Sequence, residues 1–278
     1  MDATCLIVNA DDFGYFNCVS RGVLESISAG GVTATGIMAN GPDLKTCIRS
    51  LQATDAQVDI GVHLNLSLGS PLTQNMQRCL GRWHGRFPGK FTVAAALLSK
   101  KIQVKDVEAE WSAQIEQCLD LGVEPFFLNS HEHVHMLPPL YSMVRGLAIT
   151  YDIPYVRHVT PEPMSAALRR GAFRNFVLAV LSLANAPPDE ASPQLLGLGA
   201  SGKLTPGYLR HRFRSLPAGQ VYELMCHPGY YDPDEITERR LVAYHNWESE
   251  LRLLTSRSFQ DMCAEQGIRL IGYRDLHA

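Results

Sequence analysis

Short apolar runs bounded by glycine, proline or asparagine recur along this chain, with helical patterns between them. Continuous apolar runs of this length are typical of strands buried on both faces. We predict seven strands, at residues 5–9, 33–39, 59–66, 126–129, 155–158, 221–226 and 268–272. Strands that alternate with helices form parallel sheets, so the sequence predicts an α/β protein.

The helical pattern is clearest at residues 106–121. Asp106 is placed to cap the start of this helix and Gly122 to end it. One face of the predicted helix carries Val107, Trp111, Ile115, Cys118 and Leu119. A helix with one apolar face packs on the sheet, which agrees with the α/β prediction.

Seven strands, rather than eight, indicate an irregular or incompletely closed (β/α) barrel, with a doubly wound open sheet as the alternative. A single α/β barrel commonly needs about 200–250 residues, so we expect residues 1–278 to form one domain. Residues 67–91 and 187–203 interrupt the alternation. The first is predicted to be a long loop over the functional site, the alternative being a surface excursion. In both folds the functional site lies at the carboxyl ends of the strands.

Charge and composition exclude several classes of protein. The formal net charge of -3 leaves no basic surplus for nucleic-acid binding. No apolar run is long enough for a transmembrane segment, and the first strand starts at Cys5, too early for a signal core, so we expect a cytoplasmic protein. The seven cysteines form no C-x-x-C pair and are expected to be reduced. A homo-oligomer is expected only because soluble enzymes often form them.

Two adjacent carboxylates, Asp11 and Asp12, end the first predicted strand before a turn at Gly14. Like charges repel, and the repulsion is relieved if one carboxylate binds a cation while the other handles protons. The alternative is a turn in which one of them caps the next helix.

Histidines follow two further strands. His63 lies at the end of the third predicted strand, where it is either a ligand or a core histidine. His131, His133 and His135 alternate after the fourth strand, so in an extended conformation all three would point the same way. We favour His131 as a ligand because it is nearest the strand end, and leave His133 and His135 to support the ligands or face the substrate.

One carboxylate and two histidines supply the donor set of a catalytic metal site, with a position left open for water. This set favours zinc; cobalt, nickel and manganese also fit, and magnesium fits less naturally. The sequence therefore predicts one bound divalent metal ion.

Two more residues are candidates at strand ends. His227, before a Pro-Gly turn, is a candidate proton donor, or else only the flank of a surface turn. Arg157 is a candidate for substrate contact or for balancing the carboxylates.

Four ordered motifs resemble the YdjC-like carbohydrate deacetylases, also called the ChbG/HpnK family. They are Asn-Ala-Asp-Asp-Phe-Gly at 9–14, Gly-Val-His-Leu-Asn at 61–65, Ser-His-Glu-His-Val-His-Met at 130–136 and Cys-His-Pro-Gly-Tyr at 226–230. The resemblance implies an irregular, polysaccharide-deacetylase-like (β/α) barrel and a divalent metal. It implies hydrolysis of N-acetyl groups on amino sugars, such as chito-oligosaccharides or glucosaminyl lipids.

Carried over by position, the resemblance implies that Asp12, His63 and His131 bind the metal, that Asp11 is the general base and that His227 is the general acid. Substrate contacts are expected at Arg157, His133, Asn65 and Glu223. The chain departs from the family at Asn129, where Asp is frequent, and at Glu132, where His is usual. Both substitutions leave the implied ligands in place and could retune their surroundings.

Two other functions use similar residues. A metal-dependent phosphoesterase would add basic residues or a glycine-rich cradle, and only Arg157 lies near the predicted site. A sugar-binding protein without turnover would not need the base Asp11. The apolar helix at 173–184 either lines a lipid-facing approach to the site or simply packs on the barrel.

Overall fold

The sheet contains eight parallel strands. The computed structural model describes residues 3–54, 56–160, 162, 172–185 and 192–277. The strands are β1 (Thr4–Phe13), β2 (Ala34–Ile37), β3 (Asp59–Leu64), β4 (Phe127–Ser130), β5 (Tyr155–Val156), β6 (Gln194–Leu196), β7 (Val221–Cys226) and β8 (Ile268–Leu270). All pairings between them are parallel, which confirms the predicted α/β class.

The order of the strands is that of an opened barrel. Along the sheet they run β5-β4-β3-β2-β1-β7-β6, with β8 paired to residues 4–6 of β1. Apart from the pair β1 and β7, neighbouring strands in this order follow one another along the chain, as they do around a (β/α) barrel. The barrel is open between β5 and β6, which share no pairing in the described part of the chain. A doubly wound sheet would instead place β4 on the other side of β1. The irregular barrel is therefore confirmed and the alternative is wrong.

Eleven helices connect or follow the strands in the described residues. They are α1 (Asn17–Ser28), α2 (Leu44–Gln52), α3 (Gln74–Cys79), α4 (Lys90–Leu98), α5 (Val104–Asp120), α6 (Leu140–Thr150), α7 (Ala172–Ala184), α8 (Pro206–Phe213), α9 (Arg239–Tyr244), α10 (Trp247–Leu254) and α11 (Arg257–Glu265). Short 3₁₀ turns lie at Gly81–Trp83, His131–Met136 and Tyr273–His277.

Helix α5 shows how far local pattern specifies an element. It begins two residues before the predicted start, and Asp106 accepts a hydrogen bond from the Gln103 backbone N–H at 3.0 Å, so it caps the helix from inside the first turn. The predicted apolar face is buried except at Leu119, which is 38% exposed. Placing Leu119 on that face was wrong, because it lies one position beyond Cys118 and is rotated by about 100°.

All seven predicted strands are present, the one at 221–226 with the predicted bounds and the other six with altered bounds, and β6 is an additional strand within the predicted interruption at 187–203. The predicted loop at 67–91 contains α3 and a 3₁₀ turn, and it ends in the first residues of α4. Every residue of β1 is buried, so this strand is the centre of the sheet. Parallel strands end at the same rim, which brings the carboxyl ends of β1, β3, β4 and β7 together.

Candidate metal centre and active site

Asp11 and Asp12 reach the same place because the end of β1 is bulged. Between Ala10 and Phe13, β1 has one more residue than the facing part of β2. Asp12 also has a left-handed backbone, with φ of 69°. Neighbouring residues of a regular strand point to opposite faces, whereas a bulge re-aims one of them. Both carboxylates therefore contact His63, with Asp11 Oδ1 3.6 Å from Nδ1 and Asp12 Oδ1 3.3 Å from Nε2.

Asp12, His63 and His131 form a compact cluster of potential ligands. Their donor atoms lie within 4.8 Å of one another, and all three residues are buried. Asp12 Oδ1 is 2.8 Å from His131 Nδ1. On β2, between β1 and β3, a Cβ at Gly36 would lie 3.1 Å from the His63 Cβ and 3.3 Å from Asn129 Oδ1. A glycine in the intervening strand thus leaves room for the side chains that surround the cluster.

Attraction between opposite charges holds Asp12 and His131 together. Burial alone would raise the pKa of Asp12, but the charge of His131 and hydrogen bonds from His131 and His63 hold it well below its usual range. Burial likewise opposes protonation of His131, yet the carboxylate of Asp12 raises the pKa of that imidazole. A cation at this place would replace the proton that His131 shares with Asp12, so metal and proton compete.

Asn129 fixes the hydrogen on His63. Its Oδ1 is 2.6 Å from His63 Nδ1, and its Nδ2 donates to Asp11 Oδ1 at 3.0 Å. Because the amide oxygen only accepts, a hydrogen of His63 is assigned to Nδ1, which leaves Nε2, the nitrogen on the Asp12 side, as the atom that would bind a metal. Two imidazoles and one carboxylate, with one imidazole oriented by its outer hydrogen bond, fit a divalent transition-metal ion.

Asp11 is held apart from the cluster as a charged, oriented carboxylate. Its Oδ1 accepts hydrogen bonds from Asn9 Nδ2 at 2.8 Å, Asn129 Nδ2 at 3.0 Å and Arg157 Nη2 at 3.1 Å. Its Oδ2 accepts one from Arg157 Nη1 at 2.9 Å. Burial raises the pKa of Asp11, but the charges of Arg157 and His63 outweigh it and hold the pKa below its ordinary value. The carboxylate is therefore ionised at neutral pH.

Arg157, Glu223 and Asn65 lie behind the site. Arg157 is paired with both Asp11 and Glu223. The side chain of Asn65 donates to Asn40 Oδ1 and the Leu68 carbonyl, and it accepts from backbone N–H groups of its own loop. In the described part of the chain, the residues that border the central cavity do not include these three. Their geometry favours support of Asp11 and of the loop after β3 rather than the substrate contact predicted from the sequence.

The three alternating histidines do not form an extended segment. Glu132 and His133 both have φ of 56°, so the chain turns sharply after His131. His133 borders the cavity, whereas His135 is enclosed, with its ring nitrogens 2.6 Å from Ser130 Oγ and 2.9 Å from the Arg157 carbonyl oxygen. Burial lowers the pKa of His135 to about 3, so it is a neutral structural residue. The expectation that all three would point the same way is wrong.

A cavity of about 390 Å³ opens over the cluster. Asp11, His63, His131 and His227 border it. Its walls are largely apolar and come from α4, α7 and α9 and from the strand ends, with Phe91, Ala94, Leu137, Val177, Leu181, Leu198, Met225, Leu241 and Tyr244. The polar and charged centre is thus surrounded by apolar side chains.

Several residues that border the cavity do not follow a predicted strand, so the sequence analysis did not identify them. Lys90, the first residue of α4, pairs with Glu132 at 2.9 Å, and Arg240 donates to the Ser67 carbonyl at 3.3 Å. His245, immediately after α9, has its ring centroid 4.7 Å from that of His227. These residues come from helices and loops, whose positions the alternation of strands and helices does not specify. Only their polar character, in a late or irregular segment, could have indicated that they belong to the site.

No helix in the described ranges has both the length and the apolar composition needed to cross a membrane.

Comparison with known proteins gives concordant matches along the chain. The model of the family described as YdjC-like protein matches residues 5–265. A carbohydrate deacetylase of Geobacillus stearothermophilus is 30% identical over 277 residues, 98% of this chain and 97% of that protein. A carbohydrate deacetylase of Halalkalibacterium halodurans is 31% identical over 231 residues, covering 82% and 86% of the two chains.

A crystal structure has the same fold. It is that of a protein of Enterococcus faecalis V583 described as a cellobiose-phosphate cleavage protein, with a TM-score of 0.74, 24% identity and 99% coverage of both chains. At this level of identity the likeness concerns the fold alone.

Proposed function

The chain belongs to the YdjC-like protein family, and from that premise we propose that it is a metal-dependent carbohydrate deacetylase. It hydrolyses the N-acetyl group of an amino sugar to acetate and a free amine. One observation carries the proposal: the buried Asp12–His63–His131 cluster lies beside a separate ionised carboxylate, Asp11, and His63, His131 and Asp11 border one cavity. The names of the carbohydrate deacetylases that align over nearly the whole chain support the reaction class.

Asp12, His63 and His131 would hold the metal. When bound, a divalent ion acidifies water and stabilises negative charge that develops on the amide carbonyl oxygen. Zinc is the favoured ion, because two imidazoles and one carboxylate suit it better than they suit magnesium.

Asp11 is the proposed general base. Three N–H donors engage its Oδ1, whereas Oδ2 accepts one hydrogen bond, from Arg157 Nη1. Oδ2 is therefore the oxygen with room to take the proton of the attacking water. Arg157 and Asn129 fix the carboxylate in advance, which avoids a reorganisation cost during the reaction.

His227 is the proposed general acid. It follows β7, borders the cavity, and its Nδ1 is buried with no hydrogen-bond partner in the described part of the chain. An amine leaves an amide only if its nitrogen is protonated, and an imidazole on the same rim as Asp11 can deliver that proton. Its backbone N–H is anchored to Glu250 Oε2 at 2.7 Å, which fixes the start of the turn.

The cavity walls favour a glycolipid over a chito-oligosaccharide as the substrate. A chain of sugars presents hydroxyl groups along its edges, whereas α4 and α7 present Phe91, Ala94, Val177 and Leu181. Burying apolar surface of a substrate against such walls is favourable, but burying hydroxyl groups there without partners is costly. We therefore propose an N-acetylated amino sugar that carries an apolar group.

The test is acetate release by metal-stripped protein to which zinc, cobalt, nickel, manganese or magnesium is returned. The substrates are N,N'-diacetylchitobiose and an N-acetylglucosaminyl lipid in detergent. We expect metal-dependent release, faster from the lipid. Release only from the chitobiose would overturn the substrate assignment, and metal binding without release from either would favour a sugar-binding protein.

A further inference from the structure

His245 lies in the wall of the cavity, outside the motifs that mark the family. It follows α9 and is 9% exposed. It borders the central cavity together with His227, and it borders a smaller adjoining space together with Asp12 and His131. His245 therefore lies close to the proposed general acid and borders the same small space as two of the proposed metal ligands.

The ring of His245 is held by aromatic neighbours rather than by hydrogen bonds. Its centroid is 4.9 Å from that of Trp247 in a stacked arrangement, 4.8 Å from Tyr244 and 4.7 Å from His227. Its Nδ1 is buried without a hydrogen-bond partner among the described residues. Buried polar atoms are nearly always satisfied, by protein, water or ligand.

The neutral ring can both donate and accept a hydrogen bond. Burial, reinforced by the neighbouring His227, holds the pKa of His245 well below its ordinary value. A neutral imidazole has one N–H donor and one acceptor nitrogen. Its backbone N–H is already bonded to the Leu241 carbonyl at 2.9 Å, so the ring is the part of the residue that is not engaged.

We propose that His245 binds substrate, by hydrogen-bonding a sugar hydroxyl on a carbon next to the one that carries the acetamido nitrogen. The proposal rests on the deacetylase function, which places that nitrogen near His227 and the acetyl group near Asp12 and His131. A hydroxyl on an adjacent ring carbon then lies close to the nitrogen, where His245 borders the same cavity as His227. The stack on Trp247 fixes the imidazole before the substrate arrives, which limits the entropy cost of binding.

A purely structural role makes a different prediction. If His245 only packs between Trp247 and His227, a phenylalanine ring would do the same, and activity would be kept. The test therefore compares His245→Phe, which keeps an aromatic ring, with His245→Gln, which keeps a donor and an acceptor. His211→Phe on α8, at an exposed position, is the matched control.

The experiment measures kcat and KM for acetate release by the metal-loaded protein, after thermal melting has shown that each variant is folded. The substrates are an N-acetylglucosaminide and its 3-deoxy analogue. We expect kcat/KM of His245→Phe to fall about tenfold, as for the loss of one hydrogen bond to a buried group. We also expect partial recovery in His245→Gln and no change in His211→Phe. Replacing the substrate by its 3-deoxy analogue should lower kcat/KM of the wild type by a similar factor. The same replacement should lower kcat/KM of His245→Phe only slightly, because this variant already lacks the hydrogen bond.

Two results would overturn the assignment. The first is a kcat/KM of His245→Phe equal to that of the wild type. The second is that this variant loses the same factor in kcat/KM, relative to the wild type, on both substrates. Failure of the deacetylase function itself looks different, because the wild type then releases no acetate. In that case calorimetric titration of the metal-loaded wild type and His245→Phe with N-acetylglucosamine decides the point. Equal affinity of the two proteins would reject the hydrogen bond, and weaker binding by His245→Phe would support it.

Discussion

Asn129 Oδ1 lies 2.6 Å from His63 Nδ1, and the other end of the same amide donates to Asp11 Oδ1 at 3.0 Å. One neutral side chain thus orients a proposed metal ligand and the proposed base together. The resemblance to the YdjC-like carbohydrate deacetylases would instead lead us to expect an aspartate at this position. An aspartate here could accept from His63 but could not donate to Asp11, and it would place a second negative charge beside that carboxylate.

Two variants separate the two roles of Asn129. Asn129→Leu removes the acceptor for His63 and should weaken zinc binding by about 10–100-fold, as is typical for the partner of a ligating histidine. Asn129→Asp keeps that acceptor and should bind zinc within about tenfold of the wild type, on the same scale. Competition with a chromophoric chelator measures both affinities. If zinc affinity is unchanged in Asn129→Leu, the hydrogen bond does not orient His63 as a ligand.

Asp12 is expected to be essential for metal binding. Its φ of 69° suits Asp and Asn better than Ala, so Asp12→Asn is the first variant to make, and Asp12→Ala the stronger one. Losing the carboxylate charge should reduce the bound metal to a trace after dialysis, in a protein that still melts cooperatively. Elemental analysis gives the metal content. A stoichiometric metal ion in folded Asp12→Ala would contradict the assigned ligand set.

Asp11→Asn should keep the metal and lose turnover. The asparagine has nearly the shape of aspartate, and Arg157 retains Glu223 as an ion-pair partner. Loss of a general base typically lowers kcat by about 10²–10⁴-fold. The comparison is acetate release against metal content in the same preparation. Near-normal turnover would mean that another group accepts the proton of water.

The apolar cavity wall predicts which variants distinguish the substrate classes. Val177 borders the cavity on α7, whereas Leu183 on the same helix does not border it and is 88% exposed. Val177→Asn should raise KM for the lipid-linked sugar about tenfold through lost apolar contact, and raise it less for a soluble sugar. Leu183→Asn is the matched control, for which we expect an unchanged KM. Equal effects of Val177→Asn on both substrates would argue against a bound lipid.

The strands and the cluster of potential metal ligands could be predicted because both depend on local pattern. Buried runs that end in Asp11, Asp12, His63 and His131 place donors at one rim of any parallel sheet. The strand β6, Gln194–Leu196, was not predicted because only two apolar residues, Leu195 and Leu196, precede Gly197 in a stretch rich in proline, serine and glycine. The element type of a short apolar run depends on the neighbour with which it pairs.

The remaining parts of the site depend on tertiary contacts. The bulge at Asp11–Asp12 and the turn after His131 use left-handed backbone at Asp12, Glu132 and His133, which residue identity alone does not indicate. Arg157 could be proposed for either of two roles, and only its hydrogen bonds to Asp11 favour charge balance. His245 borders the cavity from the segment that follows α9, a contact that no spacing rule predicts.

His135 should make the stability of the protein depend on pH between its ordinary and folded pKa values. Its folded pKa of about 3 lies below the ordinary 6.5, so in this interval the unfolded chain binds a proton that the folded chain does not. Stability therefore falls as the pH is lowered through 6.5, by up to about 1.4 kcal/mol per unit, and this fall ends near the folded pKa. The variant His135→Gln has no imidazole to titrate at this position. At pH 7 its free energy of unfolding should be about 1–3 kcal/mol below that of the wild type, because it loses the imidazole's hydrogen bonds. This difference in stability should become smaller towards pH 5. Urea unfolding at pH 7, 6 and 5 measures it. A difference in stability that stays constant over this range would show that folding does not lower the pKa of His135.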